Sequence, residues 1–202
     1  MGEVLKTGTT IIGLKYKDGV ILGADRRMTM GHMIANSGVE KIVKLTDFLV
    51  TAFAGTVSDI QMLVDVLKSN FSYFEKDRSR KITTKEAASF MSNQMRSHIR
   101  GAAIGPVGFI LGGFDKVPGL FEIFSDGTLT EYNTYVTDGS GSVFAMGVLE
   151  SEYKDNMTKD EAINLVRKSL KIAMKKDSAS GDGYFVYNID ALGADVVIDE
   201  KL

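Results

Sequence analysis

Residues 8–25 read GTTIIGLKYKDGVILGAD, two mainly apolar segments joined by the turn sequence Lys-Asp-Gly at 17–19. Asp-Gly between two such segments is among the strongest short-range signals of a β-hairpin. We therefore predict strands over 9–16 and 20–25, which form the start of an antiparallel sheet. The hairpin places Thr9 at the beginning of its first strand.

The Gly8-Thr9 bond is a potential self-cleavage site. If it is cut, Thr9 becomes a chain terminus whose hydroxyl is the nucleophile and whose α-amine is the base. The reference pKa of an α-amine, about 7.7–8.0, is close to neutral pH. Glycine before the threonine lacks a Cβ, so the backbone is free to adopt the strained geometry of attack on the Gly8 carbonyl. Gly-Thr-Thr alone also suits the start of an ordinary strand, so the motif needs support from other residues.

The composition is typical of one soluble globular domain. The chain has 202 residues, of which 44% are hydrophobic and 25% charged, enough to bury a sizeable core. A net charge of −2 without a dense basic stripe argues against nucleic-acid binding. The absence of cysteine excludes disulfides and thiol chemistry and is compatible with a cytoplasmic location. No apolar segment approaches the ~20 residues of a membrane helix, so we expect no membrane association.

No metal site is expected. The two histidines, His32 and His98, are far apart in the sequence and lack the paired spacing of metal ligands. We therefore predict neither a metal nor a cofactor.

The rest of the chain separates into blocks of strands and blocks of helices. Further strands are predicted at 33–36, 42–45, 48–55, 107–114, 120–124, 128–136, 184–189 and 194–198. Apolar spacing and the capping boxes Thr83-x-x-Glu86 and Thr158-x-x-Glu161 predict helices containing 60–74, 83–99, 142–153 and 159–175. Such blocks predict an α+β fold in which antiparallel sheets pack together and are covered by helices.

Two charged residues after Thr9 complete a catalytic pattern. An ammonium beside the nucleophile, here Lys41, lowers the pKa of the hydroxyl, and a carboxylate, here Asp25, holds that ammonium charged and oriented. A buried strand partner would explain either charge separately. A buried ion pair adds little stability, so both charges together favour the catalytic interpretation.

Five segments together resemble a catalytic proteasome β subunit of the archaeal type. They are Gly8-Thr9-Thr10, Gly23-Ala-Asp25-Arg-Arg-Met-Thr29, Ala54-Gly55, Gly139-Ser-Gly-Ser142 and Asp177-Ser-Ala-Ser-Gly181. The resemblance covers nearly the whole chain. It implies the N-terminal nucleophile hydrolase fold, a four-layer αββα sandwich of two antiparallel sheets flanked by helices. Residues 1–8 would be a prosegment removed by self-cleavage, and residues 9–202 a single catalytic domain.

The resemblance also implies a role for each matching residue. Thr9 would supply the nucleophile and the amine, Asp25 and Lys41 their charged support, and the N–H of Gly55 the oxyanion donor. The residues around the Thr9 amine would be Ser140, Asp177 and Ser180. Seen alone, 139–141 could be a simple turn and 177–178 a helix end.

An extended peptide substrate would lie between the backbone of Thr29 and that of 55–57, by the same resemblance. The first specificity pocket would be apolar and would disfavour acidic residues before the cut; its lining would be Met28, Val39, Val43, Phe53 and Val57. Phe53 is bulkier than the aliphatic residue expected there, which predicts a pocket for smaller apolar side chains. Core packing would equally explain Phe53.

The implied activity is that of a threonine endopeptidase that degrades unfolded polypeptides inside a closed chamber. Its partners would be proteasome α subunits and other β subunits, in four stacked seven-membered rings, and an ATPase unfoldase. One alternative is a non-catalytic structural β subunit that retains residues 1–8. Another is a self-processing N-terminal hydrolase acting on small amides, against which the segment 177–181 argues.

Overall fold

Two antiparallel sheets form the centre of the molecule. The computed structural model describes residues 8–99 and 107–202, apart from the side chains of Val57, His98 and Ile99. The predicted prosegment therefore lies outside the described residues except for Gly8.

The elements follow one another in blocks, as the sequence predicts. The first block of strands is β1 (Ile11–Tyr16), β2 (Gly19–Asp25), β3 (Met28–Met30), β4 (Met33–Asn36), β5 (Ile42–Thr46) and β6 (Leu49–Gly55). It is followed by helices α1 (Val57–Arg78) and α2 (Thr84–Ile99). The later elements are β7 (Val107–Phe114), β8 (Pro118–Ile123), β9 (Leu129–Glu131), β10 (Tyr135–Asp138), α3 (Ser142–Glu152), α4 (Lys159–Lys176), β11 (Gly183–Asp190) and β12 (Gly193–Lys201).

The hairpin expected from the Asp-Gly turn lies in the middle of the first sheet. This sheet has the order β10-β1-β2-β11-β12, and Leu14 of β1 lies opposite Ile21 of β2. The second sheet has the order β5-β6-β7-β8-β9, and β3 and β4 form a two-stranded sheet. All neighbouring strands are antiparallel.

Three apolar clusters hold four layers together. Between the two sheets lie Ile11, Val20, Leu22, Val50, Ile110 and Leu120. Helices α1 and α2 cover the second sheet through Leu63, Leu67, Phe71, Met91, Phe109 and Leu111. Helices α3 and α4 cover the first sheet through Ile12, Leu14, Leu149, Val166, Leu170 and Val186. The predicted αββα sandwich is confirmed.

Both predicted capping boxes are present. The Thr83 N–H donates to Glu86 Oε2 at 2.9 Å, and the Glu86 N–H donates to Thr83 Oγ1 at 3.2 Å. Thr158 and Glu161 make the same reciprocal pair at the start of α4. Because these bonds satisfy N–H groups that have no partner within the helix, they fix where α2 and α4 begin.

The prediction of one strand over 128–136 is wrong. The structure divides this segment between β9, in the second sheet, and β10, in the first. The crossing is made by residues 132–134, where the Tyr132 N–H donates to the Leu120 carbonyl and the Thr134 carbonyl accepts from the Lys15 N–H. Alternation of apolar residues does not distinguish one strand from two that pair with different sheets. The three-residue strand β3 was not predicted either.

Candidate active site

Strand pairing brings Thr9, Asp25 and Lys41 together at one end of the sandwich. Thr9 comes just before β1, Asp25 ends β2, and Lys41 comes just before β5; all three are buried. The Asp25 N–H donates to the carbonyl of Thr10 at 3.1 Å, which ties the end of β2 to the start of β1. Across this junction Lys41 Nζ lies 2.7 Å from Asp25 Oδ1.

The Asp25 carboxylate has a fixed orientation because each of its two oxygens accepts two hydrogen bonds. Oδ1 accepts from the Thr10 N–H at 2.8 Å and from Lys41 Nζ at 2.7 Å. Oδ2 accepts from the N–H groups of Arg27 and Gly181, both at 3.0 Å. A carboxylate with backbone donors of this kind holds the lysine in one position.

Lys41 is placed to act on the Gly8 carbonyl. Its Nζ donates to the Gly8 oxygen at 3.2 Å as well as to Asp25. Burial lowers the pKa of the Lys41 ammonium, and the neighbouring Asp25 carboxylate opposes that shift. Lys41 is therefore a stronger acid than an exposed lysine.

These groups surround the Gly8-Thr9 bond. The Thr9 hydroxyl donates to the Gly8 oxygen at 2.6 Å, and the Gly8 N–H donates to Thr29 Oγ1 at 2.7 Å. A Cβ on residue 8 would overlap both the side chain and the carbonyl of Ala179. Only glycine fits at this position.

The backbone nitrogen of Thr9 faces a second polar group. Its N–H donates to Ser140 Oγ at 3.2 Å. The hydroxyls of Ser140 and Ser180 both donate to Asp177 Oδ2, at 2.6 and 2.7 Å. Asp177 directly follows the last residue of α4, so the simple expectation of a helix end at this position is met. Its side chain also belongs to this second polar group.

A positive φ at Gly139 allows the close approach of this second group. Its φ of +94° is in the region that favours glycine, and a Cβ there would overlap the carbonyl of Thr9. Gly55 ends β6, is separated from α1 by Thr56 alone, and lines the cavity beside Thr9, where the oxyanion donor is expected.

Thr10 was not among the predicted site residues, although it lies in the Gly-Thr-Thr motif. Its hydroxyl is 2.8 Å from Ser180 Oγ, and its N–H donates to Asp25. Because Ser180 donates its own hydrogen to Asp177, Thr10 is the donor in the contact with Ser180. Thr10 thereby connects the two polar groups on either side of Thr9.

One cavity lies next to the Gly8-Thr9 bond, and a second cavity shares three of its walls. The smaller one, of about 20 Å³, has Met28, Val39, Lys41, Phe53 and Ile60 among its walls. The larger one, of about 450 Å³, shares Val39, Phe53 and Ile60 and adds Val43 and Val64, with Glu40, Gln61 and Asp65 as its polar members. Among the residues predicted for the specificity pocket, Val43 therefore lines only the larger cavity, and the side chain of Val57 lies outside the described part of the structure.

We expect Phe53→Ala to broaden the residue accepted before the cut. Phe53 is a wall of both cavities and packs edge-to-face on Phe109 with ring centroids 6.5 Å apart. Its removal should join the cavities and destabilise the fold by about 3–5 kcal/mol. The measurement is kcat/KM for a peptide with phenylalanine before the cut, divided by that for alanine, which we expect to rise about 10-fold.

The ratio cancels any loss of folded enzyme. Val64→Ala shortens a wall residue of the larger cavity and does not touch the smaller one. It should therefore leave the ratio of the two kcat/KM values as in the wild type. An unchanged ratio in Phe53→Ala would mean that Phe53 serves only core packing.

Comparison with known proteins shows which family the chain resembles. A model of the proteasome subunit family matches residues 5–189. The proteasome subunit beta of Methanobrevibacter smithii is 36% identical over 205 residues, which cover 100% of this chain and 97% of that protein. The proteasome subunit beta 2 of Ignicoccus hospitalis is 40% identical, with 92% of this chain and 86% of that protein covered. The chain belongs to the proteasome subunit family.

Membership in the proteasome family confirms the resemblance and the N-terminal nucleophile hydrolase fold. A third relative, the proteasome subunit beta 1 of Saccharolobus islandicus strain M.14.25, is 40% identical over 95% of this chain and 89% of its own length. Among residues 8–99 and 107–202, no group of histidine and acidic side chains could hold a metal ion. In the same part of the chain, no helix is long and apolar enough to cross a membrane.

Proposed function

We propose that this chain is a catalytic threonine endopeptidase subunit of the proteasome core particle, activated when it cuts its own Gly8-Thr9 bond. The proposal rests on the Thr9 hydroxyl, which lies 2.6 Å from the Gly8 oxygen while Lys41 donates to the same oxygen. A nucleophile and a cation at one carbonyl are what acyl transfer requires.

Self-cleavage proceeds through an ester. Thr9 Oγ1 attacks the carbonyl carbon of Gly8 and the bond to the Thr9 nitrogen breaks, so residues 1–8 become an ester on Oγ1. The hydroxyl proton ends on the departing nitrogen, while the Lys41 ammonium, paired with Asp25, donates to the oxyanion that develops on the Gly8 carbonyl. Water then hydrolyses the ester, which releases residues 1–8 as a carboxylic acid and leaves Thr9 with a free hydroxyl and a free α-amine.

Peptide hydrolysis repeats these steps on a substrate. The hydroxyl of Thr9 attacks the substrate carbonyl, and the α-amine accepts its proton and passes it to the leaving amine. The N–H of Gly55 stabilises the oxyanion, a contribution of about 10²–10³ in kcat for a typical backbone donor. Ser140, Asp177 and Ser180 orient the amine, and water completes the turnover. This scheme uses no metal or cofactor.

Assembly supplies the rest of the proposal. The subunit would act in the cytoplasm within stacked seven-membered rings of proteasome α subunits and other β subunits, on unfolded polypeptides delivered by an ATPase unfoldase. The alternative, a structural β subunit that keeps residues 1–8, would have no use for two polar groups that meet at Thr9.

Intact-mass analysis of the assembled subunit distinguishes the two. After co-expression with α subunits, we expect the chain in the particle to begin at Thr9. Assembled particles whose chain still carries residues 1–8 and that hydrolyse no peptide would favour the structural subunit. Peptide hydrolysis by the same preparation serves as the second readout.

A further inference from the structure

The side chain of Thr29 touches the residue that is to be cleaved. Thr29 is the middle residue of β3 and is buried, and its Oγ1 accepts a hydrogen bond from the Gly8 N–H at 2.7 Å. The role implied for Thr29 by resemblance concerns its backbone, which pairs with an extended substrate. The contact with Gly8 uses the hydroxyl instead.

Gly8 is held at three places by four residues. Thr29 Oγ1 accepts from its nitrogen, the Thr9 hydroxyl and Lys41 Nζ donate to its oxygen, and Ala179 occupies the space that a Cβ would need. A glycine has no side chain with which to anchor itself, and its backbone is the most flexible of any residue. The bond from Thr29 therefore restricts how the Gly8 carbonyl is presented to Thr9, and orientation of this kind strongly affects the rate of acyl transfer.

A peptide substrate cannot use the same arrangement. Any residue larger than glycine in the position of Gly8 would place its Cβ inside Ala179, so the substrate residue before the cut must lie differently. Such a residue has a side chain that can enter the cavity between Met28 and Phe53 and anchor it there. The Thr29 hydroxyl is thus fitted to the self-cleaving glycine rather than to substrates in general.

We propose that the Thr29 hydroxyl is a positioning group for self-cleavage and contributes much less to peptide hydrolysis. This inference rests on the proposed function, because it requires that the chain cut its own Gly8-Thr9 bond. It separates two reactions that share the nucleophile Thr9 and differ in how the scissile residue is held.

The test compares both reactions in Thr29→Val and Thr29→Ser. Valine has nearly the shape of threonine but offers no acceptor to Gly8, whereas serine keeps it. Self-cleavage is followed as loss of residues 1–8 by intact mass after mixing with α subunits. Peptide hydrolysis is measured on particles whose β chain is encoded as Met followed by Thr9, so that methionine aminopeptidase exposes the threonine without self-cleavage.

We expect Thr29→Val to slow self-cleavage by about 10-fold, the upper range for one hydrogen bond. The fold loss of Thr29→Val in peptide kcat/KM should be at least about 5-fold smaller than its fold loss in self-cleavage. Thr29→Ser should cleave itself within about 2-fold of the wild-type rate. If the valine variant does not assemble, Thr29→Ala provides the same comparison.

Equal losses in the two reactions, or wild-type self-cleavage in Thr29→Val, would overturn the inference. These outcomes are distinct from failure of the proposed function. In that case the wild-type chain itself would keep residues 1–8, and particles made with an exposed Thr9 would hydrolyse no peptide.

Discussion

Thr9→Ala particles are expected to keep residues 1–8 and to hydrolyse no peptide. The substitution removes the hydroxyl that lies 2.6 Å from the Gly8 oxygen, so the ester cannot form. Without cleavage there is no free α-amine, and the second catalytic group is lost together with the first. We expect activity to fall by at least about 10³-fold, as for other enzymes that lose their nucleophile. Intact mass and peptide hydrolysis are measured on the same preparation.

Thr9→Ser is the matched control for this substitution. Serine keeps a hydroxyl next to Gly8, so we expect the particle to lose residues 1–8 and to retain measurable hydrolysis. Removal of residues 1–8 from purified Thr9→Ala particles would show that another protease cuts the bond, and Thr9 would then not be a self-processing nucleophile.

The parts of the fold that the sequence predicts well are those with local causes. The β1–β2 hairpin follows from two mainly apolar segments separated by a short polar turn, which the structure places at Lys17 and Asp18, with Gly19 already paired with Tyr16. The capping boxes at Thr83 and Thr158 mark the starts of α2 and α4 for an equally local reason. By contrast, the strand expected over 128–136 changes sheets, which depends on its pairing partners and not on its own residues.

The site combines residues that no spacing rule connects. Asp25 and Lys41 could be proposed from the chemistry that a threonine nucleophile needs, whereas Ser140, Asp177 and Ser180 were indicated by resemblance alone. The contact of Thr10 with Ser180 joins residues 170 positions apart and depends on the meeting of β1 with the loop after α4. The hydroxyl of Thr29 accepts a hydrogen bond from Gly8, and Thr29 lies on the short strand β3, which the apolar pattern did not predict.

One polar group contacts the Gly8 oxygen beside the Thr9 hydroxyl, and a second contacts the Thr9 nitrogen. The pair Lys41 and Asp25 serves the hydroxyl, since Lys41 and the hydroxyl share the Gly8 oxygen. Ser140 and Asp177 serve the nitrogen. In the proposed mechanism both self-cleavage and peptide hydrolysis begin with attack by the hydroxyl, so loss of the first group should affect the two reactions alike.

Lys41→Met is therefore expected to abolish both reactions, with a loss of about 10³-fold or more in each. Methionine has a similar length but no charge, so the Gly8 oxygen loses its cation and the pKa of the Thr9 hydroxyl is no longer lowered by a neighbouring ammonium. Asp25 keeps the N–H groups of Thr10, Arg27 and Gly181, but a buried carboxylate without its countercharge should destabilise the fold by about 3–5 kcal/mol. Activity is measured below the variant's own unfolding temperature.

Lys44→Met is the matched control, three residues further along on β5. The Lys44 side chain is 41% exposed and pairs with Asp47, which is 85% exposed, at 3.3 Å. An ion pair in water contributes little, so this variant should keep wild-type activity and lose no more than about 1 kcal/mol of stability. If Lys41→Met retains activity within about 10-fold of Lys44→Met, the lysine only stabilises the fold around Asp25 and another group stabilises the oxyanion.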